Sequence, residues 1–148
     1  MDAKKREALK DEYIDHMMNP RNYGYIINYS GKGIGNNPNN NEMVELYIVV
    51  EDEQLAEMKF QAIGCATTIT GGSIFTDMIS GESIEEALDV TKHVMKKLES
   101  APPEERACGE MVAMAFLASV KNYENRKTSD EKEFTMNIST DCPTEELQ

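Results

Sequence analysis

The sequence predicts an α+β fold of two layers, a small antiparallel sheet covered by helices. Three observations carry this. An apolar stripe of helical period opens the chain, two runs of strict alternation occupy its middle, and helical periodicity returns after Gly64.

Residues 3–18 read as a helix. Leu9, Tyr13 and Met17 fall on one face with Ile14 and Met18 beside them, while Lys4, Lys5, Arg6, Lys10 and Asp11 lie outside that stripe. Asn19 and Pro20 end it, because proline disfavours helical geometry in the residue before it. Residues 21–41 are rich in glycine, asparagine and tyrosine and read as turns and short extended pieces, most turn-prone over 33–41. Val44, Leu46, Ile48 and Val50 alternate along a first strand, and Met58, Phe60 and Ala62 along a second. The short connection 51–54 makes them an antiparallel hairpin, although it lacks the Asn-Gly pair of the tightest turns.

Helices then cover the apolar face of that hairpin. Residues 66–80 carry Ile69, Ile74, Phe75, Met78 and Ile79, with Gly81 as the stop. Gly71 and Gly72 inside it each cost about 1 kcal/mol relative to alanine, which calls for a close backbone approach or a late start. Ser83 with Glu86 three residues on is a capping pattern that opens a short helix, and another helical stretch runs over 92–98. Pro102 and Pro103 introduce a last long helix with Glu104 and Glu105 in its first turn. Cys108, Val112, Phe116, Val120 and Tyr123 recur on its inward face. The chain divides into one domain over 1–127 and a polar C-terminal tail over 128–148, of which 134–138 is the piece suited to docking.

Charge narrows the function. Fifteen basic residues against 27 acidic ones give a net charge of -12, which opposes binding to nucleic-acid phosphates or anionic lipid. No apolar run approaches the roughly 20 residues that span a bilayer, and no apolar signal core opens the chain, so a cytoplasmic protein with no membrane and no nucleic-acid partner is expected. No serine–histidine–aspartate or phosphate-loop pattern appears, and no base stands beside a cysteine, so no enzymatic activity is expected. His16, beside the Asn-Pro stop, reads as a structural hydrogen bond at a helix end, and His93 as solvated surface.

The three cysteines, Cys65, Cys108 and Cys142, fit neither a disulfide framework nor a CxxC motif. Cys65 stands between a strand and a helix N-terminus, where amide donors and the dipole stabilise a thiolate; the alternative is a compact strand-to-helix turn. Cys108 is either inward packing or a ligand near the start of its helix. The two helix starts and the asparagine-rich loop before the first strand can converge on one sheet edge, as in a metal site assembled from three loops.

Four motifs in order turn this into a resemblance. Asp15, His16, Asn19, Pro20, Arg21, Asn22 and Gly24 resemble the D-H-x-x-N-P-R-N-x-G entry motif of the iron–sulfur cluster scaffold family of IscU, SufU and the N-terminal part of NifU. Residues 60–73 around Cys65 resemble the segment of that family's second cysteine, and 81–87 match its G-x-S-x-x-E-A turn. Pro102 and Pro103 before Cys108 are similar to its third-cysteine segment, so that the match runs from about residue 11 to 127. The resemblance implies a SufE/IscU-like fold and a scaffold or carrier that holds iron or a [2Fe–2S] cluster through Cys65 and Cys108. It also implies a cysteine desulfurase and recipient apo-proteins as partners.

The chain departs from the family at three places. Asn40 occupies the first cysteine position and Glu42 the aspartate position of N-x-P-x-C-G-D, Ala107 replaces a histidine, and Glu104 and Glu105 make the proline segment acidic. A cluster takes four donors, mostly thiolates, and an amide cannot serve as one. Two chains sharing a cluster in a homodimer would complete the set, in preference to Cys142 folding back from the tail. Zinc is the alternative ion, with Cys65, Cys108, Glu42 and a water as donors. The alternative function is a pseudo-scaffold that binds a desulfurase without assembling clusters, favoured by Asn40 and Ala107.

Overall fold

The computed structural model describes residues 3–64, 66–128 and 134–138. In chain order these form α1 (Ala3–Met18), β1 (Gly31–Asn37), β2 (Glu42–Glu51), β3 (Gln54–Ile63), α2 (Ala66–Ile79), α3 (Ile84–Leu98), α4 (Pro103–Arg126) and β4 (Phe134–Asn137). The strands make one sheet in the order β3-β2-β1-β4, antiparallel except for the parallel pair β1–β4. The α+β layering stands as expected, but the docking of β4 makes the sheet mixed.

β1 is the element that composition hid. Gly31, Gly33 and Gly35 alternate along it, so all three face the same side of the pleat, against α4. An added Cβ would stand 2.3 Å from Ser119 O at Gly31, 2.2 Å from Ser119 N at Gly33 and 1.9 Å from Met111 O at Gly35. Two strand residues rise about 6.6 Å and four helix residues about 6 Å, so successive glycines meet successive turns of α4. Glycine here buys close contact between two backbones. The expectation of turns over 33–41 therefore holds only for 38–41, the loop between β1 and β2, while Asn36 and Asn37 extend the strand.

The β2–β3 hairpin closes through Asp52 and Glu53, both at positive φ (52° and 62°), with Glu51 paired to Gln54. That is the tight two-residue turn, made without asparagine or glycine. A register shift at Val49 and Val50 brings Leu55 onto the same buried side as Met58 and Phe60 despite the odd spacing. Val44, Leu46 and Ile48 from β2 join them under Phe75 and Ile79 of α2 and Met111, Val112 and Phe116 of α4. Gly72 lies flat on the Phe60 ring, 2.4 Å from where its Cβ would be, which accounts for one of the two helical glycines.

α3 runs unbroken where two stretches were expected. Ser83 Oγ accepts the Glu86 N–H at 3.1 Å, and Thr91, which interrupts the apolar pattern, donates to the Ala87 carbonyl at 2.7 Å and stays inside. At the other end of α4, Arg126 donates to the Tyr29 carbonyl at 2.7 Å and stacks on that ring, tying the segment before β1 to the helix. α1 is attached lightly: its stripe of Leu9, Tyr13 and Met17 stays nearly half exposed, and His16 is its one buried residue.

Candidate functional site

β1 and β4 end, β2 begins, and β3 passes into α2 at the same end of the sheet. α4 runs antiparallel to β1, as Ser119, Ala115 and Met111 on Gly31, Gly33 and Gly35 show, so its N-terminus belongs to that end too. Ala107, one turn before Met111, is thereby level with Asn37, one pleat beyond Gly35. The three segments bearing Asn40, Cys65 and Cys108 thus converge as the sequence suggested.

The asparagine loop is closed upon itself. Asn37 O accepts the N–H groups of Asn40 (3.4 Å) and Asn41 (2.9 Å), Asn37 Oδ1 accepts from Asn39 N at 3.0 Å, and Asn41 adopts φ 62°. Asn40 and Glu42 bind each other twice: Asn40 Nδ2 donates to Glu42 Oε1 at 2.9 Å, and Glu42 N donates to Asn40 Oδ1 at 3.0 Å. The amide at the first cysteine position therefore holds the carboxylate at the aspartate position. That carboxylate lies over Gly64, where an added Cβ would be 2.9 Å from Oε2. Gly64 keeps the approach open directly before Cys65.

Cys65 and Cys142 lie outside the described residues. α2 starts at Ala66, the residue after position 65 in the chain. Cys108 is buried in the second turn of α4 and lines a cavity of about 290 Å³ together with Thr67, Gly71, Phe75 and Val112. Thr67 lies two residues beyond position 65. Glu42 thus meets Gly64, the last described residue after β3, and Cys108 meets the first turn of α2 at Thr67 across the α2–α4 groove. Among the described residues no three His, Cys, Asp or Glu side chains gather as a metal-holding group. Ala107, at the histidine position, is buried and offers no donor.

Asn37 escaped the sequence reading. It is fully buried at the end of β1, and its Nδ2 has no hydrogen-bond partner among the described residues. Only its parity with the three glycines distinguishes it from its asparagine neighbours as an inward residue. Gly71, with open space where its Cβ would be, belongs to the cavity wall and not to a packing contact.

The entry motif acts as a clasp. His16 Nδ1 and Arg21 N both meet Ser73 Oγ at 2.7 Å, joining α1 and the following loop to α2. Asn22, at φ 64°, donates to Thr76 Oγ1 at 3.0 Å and accepts the Phe60 N–H through its carbonyl at 2.9 Å; Gly24 N donates to Phe60 O at 2.8 Å. Residues 22–24 thereby cover the free edge of β3. Asp15 pairs with Arg21, and hydrogen bonds from Arg21 and then Asn19 hold its carboxyl below the ordinary value. His16 is structural, as expected, although its partner is a distant serine rather than its own helix end. His93 is exposed.

Fold and site together define a class: a small α+β domain whose cysteine-bearing loops meet at one end of the sheet. The family of NifU-like N-terminal domains matches residues 8–130. Scaffold protein IscU 1 of Archaeoglobus fulgidus is 36% identical over 114 residues, covering 76% of this chain and 74% of that protein. The IscU scaffold protein of Rickettsia prowazekii is 32% identical over 130 residues, covering 82% of this chain and 99% of its own length. A solved structure of a putative scaffold protein for the SUF system from Fervidobacterium islandicum superposes with a TM-score of 0.65 at 17% identity, covering 73% of this chain and 93% of that one. The chain belongs to the IscU/NifU-like iron–sulfur cluster assembly scaffold family.

Proposed function

We propose that this chain is a non-enzymatic, cytoplasmic scaffold or carrier that holds iron or a [2Fe–2S] cluster as cargo. It takes sulfur from a cysteine desulfurase and hands the finished cluster to recipient apo-proteins. The observation that carries the reading is that Glu42 lies against Gly64, and Cys108 shares a cavity with Thr67, at the end of the sheet where β3 passes into α2. Family membership supports the same reading.

The donors divide the work by softness. Thiolates of Cys65 and Cys108 suit iron and sulfide, and each thiol releases its proton on binding. The α2 N-terminus lowers the cost of a negative sulfur at position 65. Glu42, held by Asn40, is an oxygen donor or an acceptor for a released thiol proton. A zinc-bound form draws on the same mixed set. Asn40 favours the second reading, a pseudo-scaffold that engages the desulfurase without accepting sulfur, since an amide carries no persulfide.

Anaerobic incubation with ferrous iron, cysteine and a desulfurase distinguishes the two. The scaffold gains the visible absorption of a cluster, and the Cys65→Ala/Cys108→Ala double variant gains none. A wild-type chain that binds the desulfurase yet acquires neither persulfide nor cluster establishes the pseudo-scaffold instead.

A further inference from the structure

Resting on the scaffold reading, we propose that the cavity between α2 and α4 is the way in to Cys108. Glu105 at its mouth admits cationic and uncharged reactants and holds off anionic ones.

Two helical stripes form the walls. Thr67, Gly71 and Met78 lie along one face of α2, and Glu105, Cys108 and Val112 along one face of α4. Exposure separates the mouth from the floor. Met78 is 50% exposed and Tyr13 of α1 45%, whereas Cys108 is 6% exposed and Val112 2%. Glu105 is exposed too and belongs to the rim. On one side Leu98 of α3 closes the cavity, because a Cβ at Gly109 would come 2.7 Å from it. Gly71 leaves another side open, with nothing within 4 Å of where its Cβ would be. Behind the sulfur is core, since Cys108 belongs to one buried cluster with Phe75, Met111 and Val112. A reactant therefore comes to the sulfur over Gly71, past Glu105.

Glu105 is the one charged side chain among the described residues of this wall. Three residues apart on a helix, it and Cys108 have Cβ atoms about 5–6 Å apart. That is inside the distance of about 8–10 Å over which physiological salt screens charge. A carboxylate about 6 Å away disfavours a unit anion about threefold in the dielectric of water, and about a hundredfold at that of a protein surface. It favours a unit cation by the same factor. The net charge of -12 repels anions from the whole surface, and Glu105 adds the part that acts at this mouth. Under the scaffold reading the favoured reactants are ferrous iron and sulfur in an uncharged form, ahead of free hydrosulfide.

Three small methanethiosulfonates test this on the full reduced chain at low ionic strength: the ethylammonium, the ethylsulfonate and the uncharged methyl reagent. Each passes its R–S group to the Cys108 thiolate as methanesulfinate leaves, and mass spectrometry follows the Cys108 peptide. The quantity read is the ratio of cationic to anionic rate, divided by the same ratio for the unfolded chain. Ionisation of Cys108 itself affects both rates equally and cancels. Glu105→Gln should lower the ratio at least about tenfold, the product of two threefold effects, and Glu105→Lys should lower it further. Gly71→Leu should slow all three reagents alike at unchanged circular dichroism, since leucine is the better helix former. A Glu105→Gln ratio equal to that of wild type overturns the selectivity. A folded Gly71→Leu protein modified at the wild-type rate overturns the route. Both results leave the scaffold reading standing, which falls instead if the desulfurase assay yields no cluster.

Discussion

Gly33→Ala tests the packing that brings the site segments together. The new Cβ would stand 2.2 Å from Ser119 N and 2.4 Å from Ala115 O, where ordinary contact begins at 3.4 Å. Each atom it meets belongs to the α4 backbone, so no rotamer change relieves the clash and the helix must withdraw by about 1 Å. Overpacking that side chains can absorb costs about 1–3 kcal/mol, and a backbone collision belongs at or above the top of that range. A loss of about 3 kcal/mol is a large share of the 5–15 kcal/mol that holds a domain together. With m near 2 kcal/mol/M, urea unfolding followed by circular dichroism should show the midpoint falling by about 1.5 M. Gly71→Ala, with nothing within 4 Å of its added Cβ, should instead gain about 1 kcal/mol. A Gly33→Ala protein within about 0.5 kcal/mol of wild type would refute the backbone-to-backbone packing.

Three further outcomes follow from individual contacts. Glu53→Gly should leave stability within about 0.5 kcal/mol of wild type, because relief of a left-handed non-glycine residue, about 1–2 kcal/mol, is offset by the exposed Lys127 and Tyr123 contacts it gives up and by the greater entropy of an unfolded glycine; a thermal midpoint within about 2 °C of wild type reads this. Ser73→Ala should cost about 2–3 kcal/mol and loosen α1, since it strips the shared partner of His16 and the Arg21 N–H; hydrogen exchange rising in 3–24 ahead of the β2–β3 core would register it. Asp15 contributes stability above its ordinary carboxylate value of 3.8 that is lost as pH falls through its depressed folded value. The stability gap between wild type and Asp15→Asn should therefore be open at neutral pH, close below that value, and narrow in high salt.

Much of the fold was legible because periodicity and capping agreed with tertiary packing. α1, the β2–β3 hairpin and α4 lie where alternation and helical spacing put them, and the Ser83 cap acts as its pattern indicates. β1 was hidden because glycine lowers strand propensity, while its value there is the absence of a side chain under α4. α3 was split because Thr91 reads as polar, yet its hydroxyl is satisfied by its own helix. The amphipathic stripe of α1 indicated a helix correctly and gave no warning that Leu9, Tyr13 and Met17 would remain exposed. At the site, convergence of three loops could be argued from element order alone. The Asn40–Glu42 pair, the buried Asn37 amide and the parallel exit of β4 needed coordinates, since each rests on contacts between residues the sequence treats as loop or tail.

Iron and acid-labile sulfide content, measured on freshly purified chain kept free of air, bears most directly on the scaffold account. Wild-type protein should carry the two in equal amounts, and Cys108→Ala should lose both together while keeping its fold. Wild-type protein that holds neither after exposure to iron, cysteine and a desulfurase, or a Cys108→Ala variant that retains its full complement, would contradict it.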